Sequence, residues 1–168
     1  MYTVTLDTNC INAKGRDEAL NCLEDLERQG TIELRKTDAL DIDLTDDKGA
    51  NAEKRRRKSA KLPEDMGICI LDYSRLDHTR LAGEADASAM DGLAQLLFRD
   101  SLRALAGNNR HRHVTDVMHL YTHIMHRRDY FVTRDHDFLD HAETIRKEYG
   151  TRVGTPEQCI AFIRTMEP

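Results

Sequence analysis

The strongest constraint on the fold is the alternation of strand-like and helix-like segments in the first 45 residues. Residues 3–6 and 32–37 are short strand candidates. Between them, residues 18–28 place Ala19, Leu20, Leu23 and Leu26 at helical spacing, and Gly30 follows as a helix terminator. A second helical turn runs from Thr37 to Leu44. This β-α-β-α order predicts a parallel sheet covered by helices.

The rest of the chain continues the pattern. The predicted elements are a basic helix over residues 53–61, a buried strand over 67–71, amphipathic helices over 90–107 and 117–125, a strand over 130–133, a helix over 138–149, a strand over 151–153, and a final helix opening at Thr155-Pro156. We interpret residues 1–168 as one α/β domain. Its predicted architecture is a three-layer α/β/α sandwich with a central, mostly parallel sheet of four or five strands.

Composition favours a soluble protein of the cytoplasm. A chain of 168 residues can bury a hydrophobic core of its own. No apolar run approaches the roughly 20 residues that span a bilayer, so no membrane partner is expected. The four cysteines are scattered without a C-x-x-C pair, which predicts reduced thiols that pack as small hydrophobic groups.

Four aspartates stand where a parallel sheet collects ligands. Asp7 and Asp135 each follow a predicted strand directly, and such strand ends meet at one edge of a sheet. Asp43 lies on the helix after the second strand, and Asp116 opens the helix before the strand that leads to Asp135. Clustered carboxylates repel one another unless a cation neutralises them, and oxygen ligands select Mg²⁺ or Mn²⁺. The pattern therefore predicts metal-dependent hydrolysis of phosphodiesters.

Several motifs in order resemble the PIN domain family. Val4-Thr5-Leu6-Asp7-Thr8-Asn9 resembles its opening strand and acidic signature, and Phe131-Val132-Thr133-Arg134-Asp135-His136-Asp137-Phe138 resembles its later V-T-x-D-x-D-F segment. Residues 37–44 resemble the segment that carries the second acid. There Asp43-Leu44 replaces the usual glutamate and leucine, and Asp41 is the alternative ligand. Residues 152–157 resemble the last strand and T-P-E helix start, whereas a segment around 45–105 is unmatched and would be an insertion.

The resemblance implies roles for particular residues. Asp7, Asp43, Asp116 and Asp135 would be the catalytic metal ligands, and Asn9 and Thr133 would orient ligands or bound water. Asp137 would either assist with a second metal or cap the following helix. The implied activity is that of a Mg²⁺- or Mn²⁺-dependent endoribonuclease that leaves a 5′ phosphate. Many small bacterial members are toxins, held inactive by an antitoxin protein and often homodimeric.

Basic residues offer candidate contacts to RNA, although the net charge of −5 argues mildly against a nucleic-acid partner. The first group is the run Arg55, Arg56, Arg57 and Lys58, and the second is Arg110 and Arg112 beside Asp116. A polyanionic substrate requires cations near an acidic site. The competing interpretation is that the basic run forms a solvated helix face, as most runs of charged residues do.

Other functions were weighed against the nuclease. His119, His123 and His126 raise a zinc hypothesis, but the cysteines are badly placed to complete such a site. His119 could instead approach the acidic cluster, one turn after Asp116. A haloacid-dehalogenase-type phosphatase would need an aspartate at position 9, where this chain has Asn9. The non-enzymatic alternative is a PIN-like module that has lost activity and binds RNA or protein.

Overall fold

The computed structural model describes residues 1–11, 15–65, 87–107 and 111–166. Within them, five strands form one sheet: β1 (Tyr2–Leu6), β2 (Ile32–Thr37), β3 (Glu64–Asp65), β4 (Tyr130–Val132) and β5 (Arg152–Gly154). Every described strand pair is parallel. The strand order is β3-β2-β1-β4-β5, so the chain progresses in opposite directions on the two sides of β1. The strand order therefore reverses between β1 and β4, and ligands of open α/β sheets bind beyond such a reversal.

Nine α-helices lie in the described residues. They are α1 (Glu18–Arg28), α2 (Asp38–Asp46), α3 (Ala52–Ser59), α4 (Ala87–Phe98), α5 (Leu102–Gly107), α6 (His111–Met125), α7 (His136–Leu139), α8 (Ala142–Tyr149) and α9 (Pro156–Met166). A short 3₁₀ turn, Thr8–Cys10, follows β1.

The sheet separates two hydrophobic cores, which confirms the predicted three-layer α/β/α sandwich. Val4, Leu6 and Val132 pack on one face with residues of α1 and α9. Phe131 packs on the opposite face with α4, α5 and α6. Its neighbours in the strand, Tyr130 and Val132, both belong to the first core. This alternation follows from the two-residue period of a strand. Both faces of the central strands are therefore buried, as in other parallel sheets covered by helices.

The sequence predicted most elements well but joined two pairs of helices that the structure separates. The helix predicted over residues 90–107 ends at Phe98, where Arg99 adopts a left-handed φ of 55°, and resumes at Leu102. Leu102 donates its amide proton to the Asp91 carboxylate at 2.8 Å, which caps the second helix. The helix predicted over residues 138–149 is likewise divided into α7 and α8. Apolar periodicity is nearly continuous across both breaks and does not reveal them.

Two of the cysteines pack as predicted. Cys10 and Cys159 are buried thiols in the core between the sheet and α1 and α9. Burial raises the pKa of Cys159 to about 12, so this thiol is protonated and unreactive. Cys69 and the strand predicted over residues 67–71 lie outside the described residues.

No helix in the described part of the chain is long and apolar enough to span a membrane.

Glycine is required at position 154, at the end of β5, because neighbouring side chains leave no room for a Cβ. A Cβ at this position would overlap the Tyr130 hydroxyl and would lie 2.6 Å from Gln158 Oε1. Tyr130 is buried in the core and cannot withdraw freely. We expect Gly154→Ala to destabilise the fold by about 1–3 kcal/mol, the usual cost of overpacking. Chemical unfolding measures the loss, and Tyr130→Phe in the same background should restore part of it. A Gly154→Ala protein as stable as wild type would contradict the close packing.

Candidate functional site

Asp7 begins the site immediately after β1, at the reversal of the sheet. Its amide donates to the Val132 carbonyl at 2.9 Å, which ties the end of β1 to β4. The side chain is buried, at 4% exposure. One carboxylate oxygen accepts from the Thr8 amide at 2.6 Å, and the other accepts from Asn9 Nδ2 at 2.8 Å and Thr133 Oγ1 at 2.6 Å. Burial raises the pKa of Asp7 above its ordinary value.

Asn9 and Thr133 therefore hold the Asp7 carboxylate in one orientation. Asn9 also accepts from the Arg134 amide through Oδ1 at 3.0 Å, so its side chain bridges the segments after β1 and β4. Thr133 Oγ1 accepts from the Asp135 amide at 2.9 Å. The hydrogen bonds of Asn9 and Thr133 position the Asp7 carboxylate. The role expected for both residues was to orient metal ligands or bound water.

Asp43, rather than Asp41, faces Asp7. Thr8 Oγ1 donates to Asp43 Oδ2 at 2.8 Å, and His119 Nε2 lies 3.5 Å from the same oxygen. Asp41 is directed elsewhere, because it accepts from Ser59 Oγ at 2.8 Å and pairs with Lys36. The contacts thus assign Asp43 to the acidic crevice and Asp41 to an ion pair at the edge of the sheet.

Asp116 is a third buried carboxylate of the site. It is 5% exposed, and its Oδ2 is buried without a hydrogen-bond partner among the described residues. Burial raises its pKa to about 8, and the negative charges of Asp7 and Asp43 act in the same direction. A buried oxygen without a donor, facing two like charges, is a place where a cation would be stabilised.

His119 lies among these three carboxylates. The ring is fully buried, with Nδ1 2.6 Å from Thr37 Oγ1 and Nε2 beside Asp43. Burial lowers its pKa, but the contact with Asp43 and the charges of Asp7 and Asp116 outweigh that effect, so the pKa is raised. The surrounding carboxylates therefore favour the protonated ring of His119, which lies one turn after Asp116.

Asp135 and Asp137 lie at the outer side of the site. Asp135 caps α7 by accepting from the Asp137 amide at 3.0 Å, and it accepts from Arg112 Nη2 at 2.6 Å. Asp137 lies in the first turn of α7. The Arg112 pKa is raised through its hydrogen bond with Asp135 and by the charge of Asp116, which places Arg112 between the inner and outer acids.

Within the described residues, no three histidine, cysteine or acidic side chains form a ready-made metal site. The fit to Mg²⁺ or Mn²⁺ therefore rests on donor chemistry. Asp7, Asp43 and Asp116 supply hard oxygen donors, and the unpartnered Asp116 Oδ2 adds an oxygen that no protein donor satisfies. The residues suit a hard cation, although their side chains are not closed around one.

The zinc hypothesis receives no support from the histidines. His119 contacts Thr37 and Asp43 as described above, and His123 lies 2.9 Å from Thr5 Oγ1 and 2.6 Å from Thr151 Oγ1. Both ring nitrogens of His123 are thus occupied by hydroxyls, and burial lowers its pKa to about 3. His123 is a neutral residue that joins α6 to β1 and β5.

We expect His123 to weaken the fold in acid. Its folded-state pKa of about 3 lies below the ordinary 6.5, so the unfolded chain binds the proton more tightly. Stability from this group is full above pH 6.5 and is lost as the pH falls toward 3. Urea unfolding of wild type and His123→Gln between pH 7 and pH 4.5 tests this, because the variant should lose less stability on acidification. Equal slopes would show that His123 does not titrate on unfolding.

The side chains of the basic run, residues 55–58, bind partners within the protein. Arg56 donates to the carbonyls of Leu44 and Asp47, at 2.9 Å each, and so caps the end of α2, the helix that carries Asp43. The other three cations form ion pairs: Arg55 with Asp47, Arg57 with Glu53, and Lys58 with Glu24. RNA contact by these residues and by Arg112 stays a prediction, and any such contact would compete with these partners. Arg110 lies outside the described residues.

Three residues of the site have no role in the family motifs. Thr8 and Thr37 provide the hydroxyls around Asp43 and His119. Asp38 is fully buried at the start of α2, and its Oδ2 has no hydrogen-bond partner in the part of the chain described. Burial raises the Asp38 pKa to about 6. Asp38 directly follows β2, which is the same signal that singled out Asp7 and Asp135.

Comparison of the chain with protein-family models, with curated proteins and with solved structures found no match in any of the three.

Proposed function

We propose that this protein is a PIN-type endoribonuclease that uses Mg²⁺ or Mn²⁺. The observation that carries the proposal is the gathering of Asp7, Asp43 and Asp116 around the buried His119, where the strand order reverses. In the absence of a cation, burial raises the pKa values of Asp7 and Asp116, and the negative charge of Asp43 acts in the same direction on both. A site built on such repulsion is suited to a ligand that carries positive charge.

In this proposal, Asp7, Asp43, Asp116 and Asp135 hold the metal, with Asp137 beside them. Bound Mg²⁺ or Mn²⁺ would align the phosphate and lower the pKa of the attacking water. The chain's own groups position the ligands. Asn9 and Thr133 fix the Asp7 carboxylate, and Thr8 and His119 fix that of Asp43.

His119 has a further part in this proposal. Its raised pKa keeps a proton on the ring beside Asp43, which limits the repulsion among the carboxylates before a cation binds. Arg112 is largely exposed and holds Asp135 at 2.6 Å. Arg112 is an exposed cation beside the acids that could contact an entering phosphate, and binding would exchange one anionic partner for another.

The motif resemblance extends the proposal to biology. The protein would act on RNA in the cytoplasm, as the toxin of a toxin–antitoxin pair. Its partners would be an antitoxin protein and a second copy of the chain. These partners are proposed from the family resemblance, and each can be tested by co-expression and by measurement of the solution mass.

One observation favours the alternative, an inactive PIN-like module that binds RNA or protein. Both oxygens of Asp7 are already hydrogen-bonded, and the described residues hold no closed set of three metal ligands. In such a module the hydrogen bonds from Thr8, Asn9 and Thr133 and the contact with His119 would hold the acidic cluster without a metal. Binding of RNA without cleavage would distinguish this alternative from the nuclease.

The deciding experiment is cleavage of a mixed RNA pool in Mg²⁺, Mn²⁺ or EDTA, by wild type and Asp7→Asn in parallel. We expect cutting only with metal, and a loss of at least about 100-fold in the variant, because Asp7 lies at the centre of the site. Asp25→Asn, on the exposed surface of α1, is the matched control and should cut as wild type does. Folded wild type that binds RNA but leaves it intact in both metals would favour the inactive module.

A further inference from the structure

A basic cleft lies at the amino-terminal ends of the strands, whereas the acidic site lies at their carboxyl-terminal ends. It has a volume of about 250 Å³ and is lined by residues around the starts of β4 and β5, among them Arg127, Arg128, Asp129, Thr151 and Arg152. Asp7 and Asp135 follow the ends of their strands, whereas Arg128 and Arg152 stand at the beginnings of theirs. The cleft is therefore separate from the proposed nuclease site.

Three arginines and one aspartate give this cleft an excess of positive charge, in a chain whose net charge is −5. Asp129 supplies a single negative charge among the lining residues, which offsets one of the three positive charges. Asp129 Oδ2 accepts from both the amide and the hydroxyl of Thr3, at 2.8 Å each, and is thus committed to β1. The Arg152 guanidinium lies over the Phe162 ring, 4.6 Å from its centroid. Stacking of this kind uses the face of the guanidinium and leaves its N–H groups for an acceptor.

Arg127 occupies a position at which an arginine is unfavourable. It follows α6 with a left-handed φ of 51°. Its amide donates to the Ile124 carbonyl at 2.9 Å, and the Arg128 amide donates to the His123 carbonyl at 3.3 Å. This bonding pattern ends a helix most easily with glycine at the left-handed residue. The Arg127 side chain is exposed and has no ion pair among the described residues. Backbone strain retained at a charged residue in a cleft points to use of the side chain.

The ligand must be recognised by side chains, because the main-chain donors are occupied. The amides of Arg127, Arg128, Asp129 and Gly150 all donate to carbonyls of the protein. Thr151 Oγ1 is engaged by His123 at 2.6 Å. The groups that remain to select a ligand are guanidinium N–H groups, whose planar fork matches the oxygens of phosphate. We propose that this cleft binds a phosphate monoester, with Arg127 and Arg152 as its principal contacts.

Titration of the metal-free wild-type protein with inorganic phosphate at constant ionic strength tests the proposal. We expect saturable binding that shifts the amide NMR signals of residues 127–129 and 149–152. Arg127→Gly should weaken binding by roughly tenfold or more, the usual effect of losing one charge-assisted contact. Its melting temperature should stay the same or rise, because glycine relieves the left-handed backbone.

Arg99→Gly is the matched control. Arg99 is also an exposed arginine with a left-handed φ, of 55°, but it lies between α4 and α5. Its replacement removes the same charge and the same strain, and phosphate binding should not change. Equal weakening in both variants, absence of saturation in wild type, or signal shifts confined to other surfaces would each overturn the proposal.

Two further titrations identify the source of the phosphate. Adenosine monophosphate that binds as tightly as a short 5′-phosphorylated RNA would indicate a free nucleotide or smaller ester. A 5′-phosphorylated RNA that binds more tightly than both the nucleotide and the same RNA with a 5′ hydroxyl would indicate an RNA end. These measurements are made in EDTA, so a failure of the proposed nuclease activity does not affect them.

Discussion

Asp116→Asn is expected to abolish RNA cleavage while making the metal-free protein more stable at neutral and alkaline pH. Asp116 has a pKa of about 8 in the folded protein, against an ordinary 3.8. The folded state therefore binds this proton more tightly than the unfolded chain, and the group destabilises the fold increasingly as the pH rises from 3.8 to about 8. At roughly 1.4 kcal/mol per pKa unit, the ionisation of Asp116 in the unfolded chain lowers the free energy of unfolding at pH 7 by at most on the order of 4 kcal/mol.

Asparagine removes this charge, and its amide can donate where Oδ2 has no donor now. Melting curves in EDTA should show the variant several degrees more stable than wild type at pH 8, with the difference vanishing near pH 4. Cleavage should fall at least about 100-fold, because a proposed metal ligand is lost. Added Mn²⁺ should raise the melting temperature of wild type more than that of the variant. A variant less stable than wild type at pH 8 would contradict the charge repulsion that we infer.

Asp43→Asn and Asp41→Asn, two residues apart on α2, are expected to differ in their effect on cleavage. Asp43→Asn should reduce cleavage by at least about 100-fold, because its carboxylate belongs to the proposed metal site. Asp41→Asn should retain the wild-type rate per folded molecule. It should destabilise the fold by about 1–3 kcal/mol, because Lys36 is only 7% exposed and would keep just the 3.9 Å contact with Glu64.

The pair is measured by RNA cleavage and by urea unfolding of the same preparations. Each variant serves as the control for the other, since both replace a carboxylate of one helix by its amide. Loss of cleavage in Asp41→Asn, with Asp43→Asn unaffected, would reverse the assignment of the second acid. Loss in neither variant would remove α2 from the site.

Much of the fold is predictable from local patterns. The bounds of α1 and β2 follow from apolar spacing and from Gly30 between them, and both match the structure. The breaks between α4 and α5 and between α7 and α8 are not predictable in this way. The first depends on a left-handed arginine where glycine is expected. The two-residue strand β3 is too short to produce a periodic signal.

The site was only partly predictable, for a physical reason. Carboxylates at strand ends can be recognised from order alone, and this singled out Asp7 and Asp135, whereas Asp43 was chosen as an acid on the helix after the second strand. The partners of those carboxylates depend on how α6 is seated against the sheet, which places His119 between Thr37 and Asp43. The same limitation applies to the basic run, because its ion pairs with Asp47 and Glu24 depend on tertiary packing.

The contact between Asp7 and Thr133 joins residues 126 positions apart, and this sets the order in which activity can arise. β1 is the central strand, but its neighbour β4 is synthesised only after β2 and β3. During translation, Asp7 emerges from the ribosome early, without the hydroxyl that orients it. A nascent chain therefore carries its first acid long before it carries a site. If the protein is a nuclease, it cannot cut the message from which it is being translated until β4 and Thr133 have folded against β1.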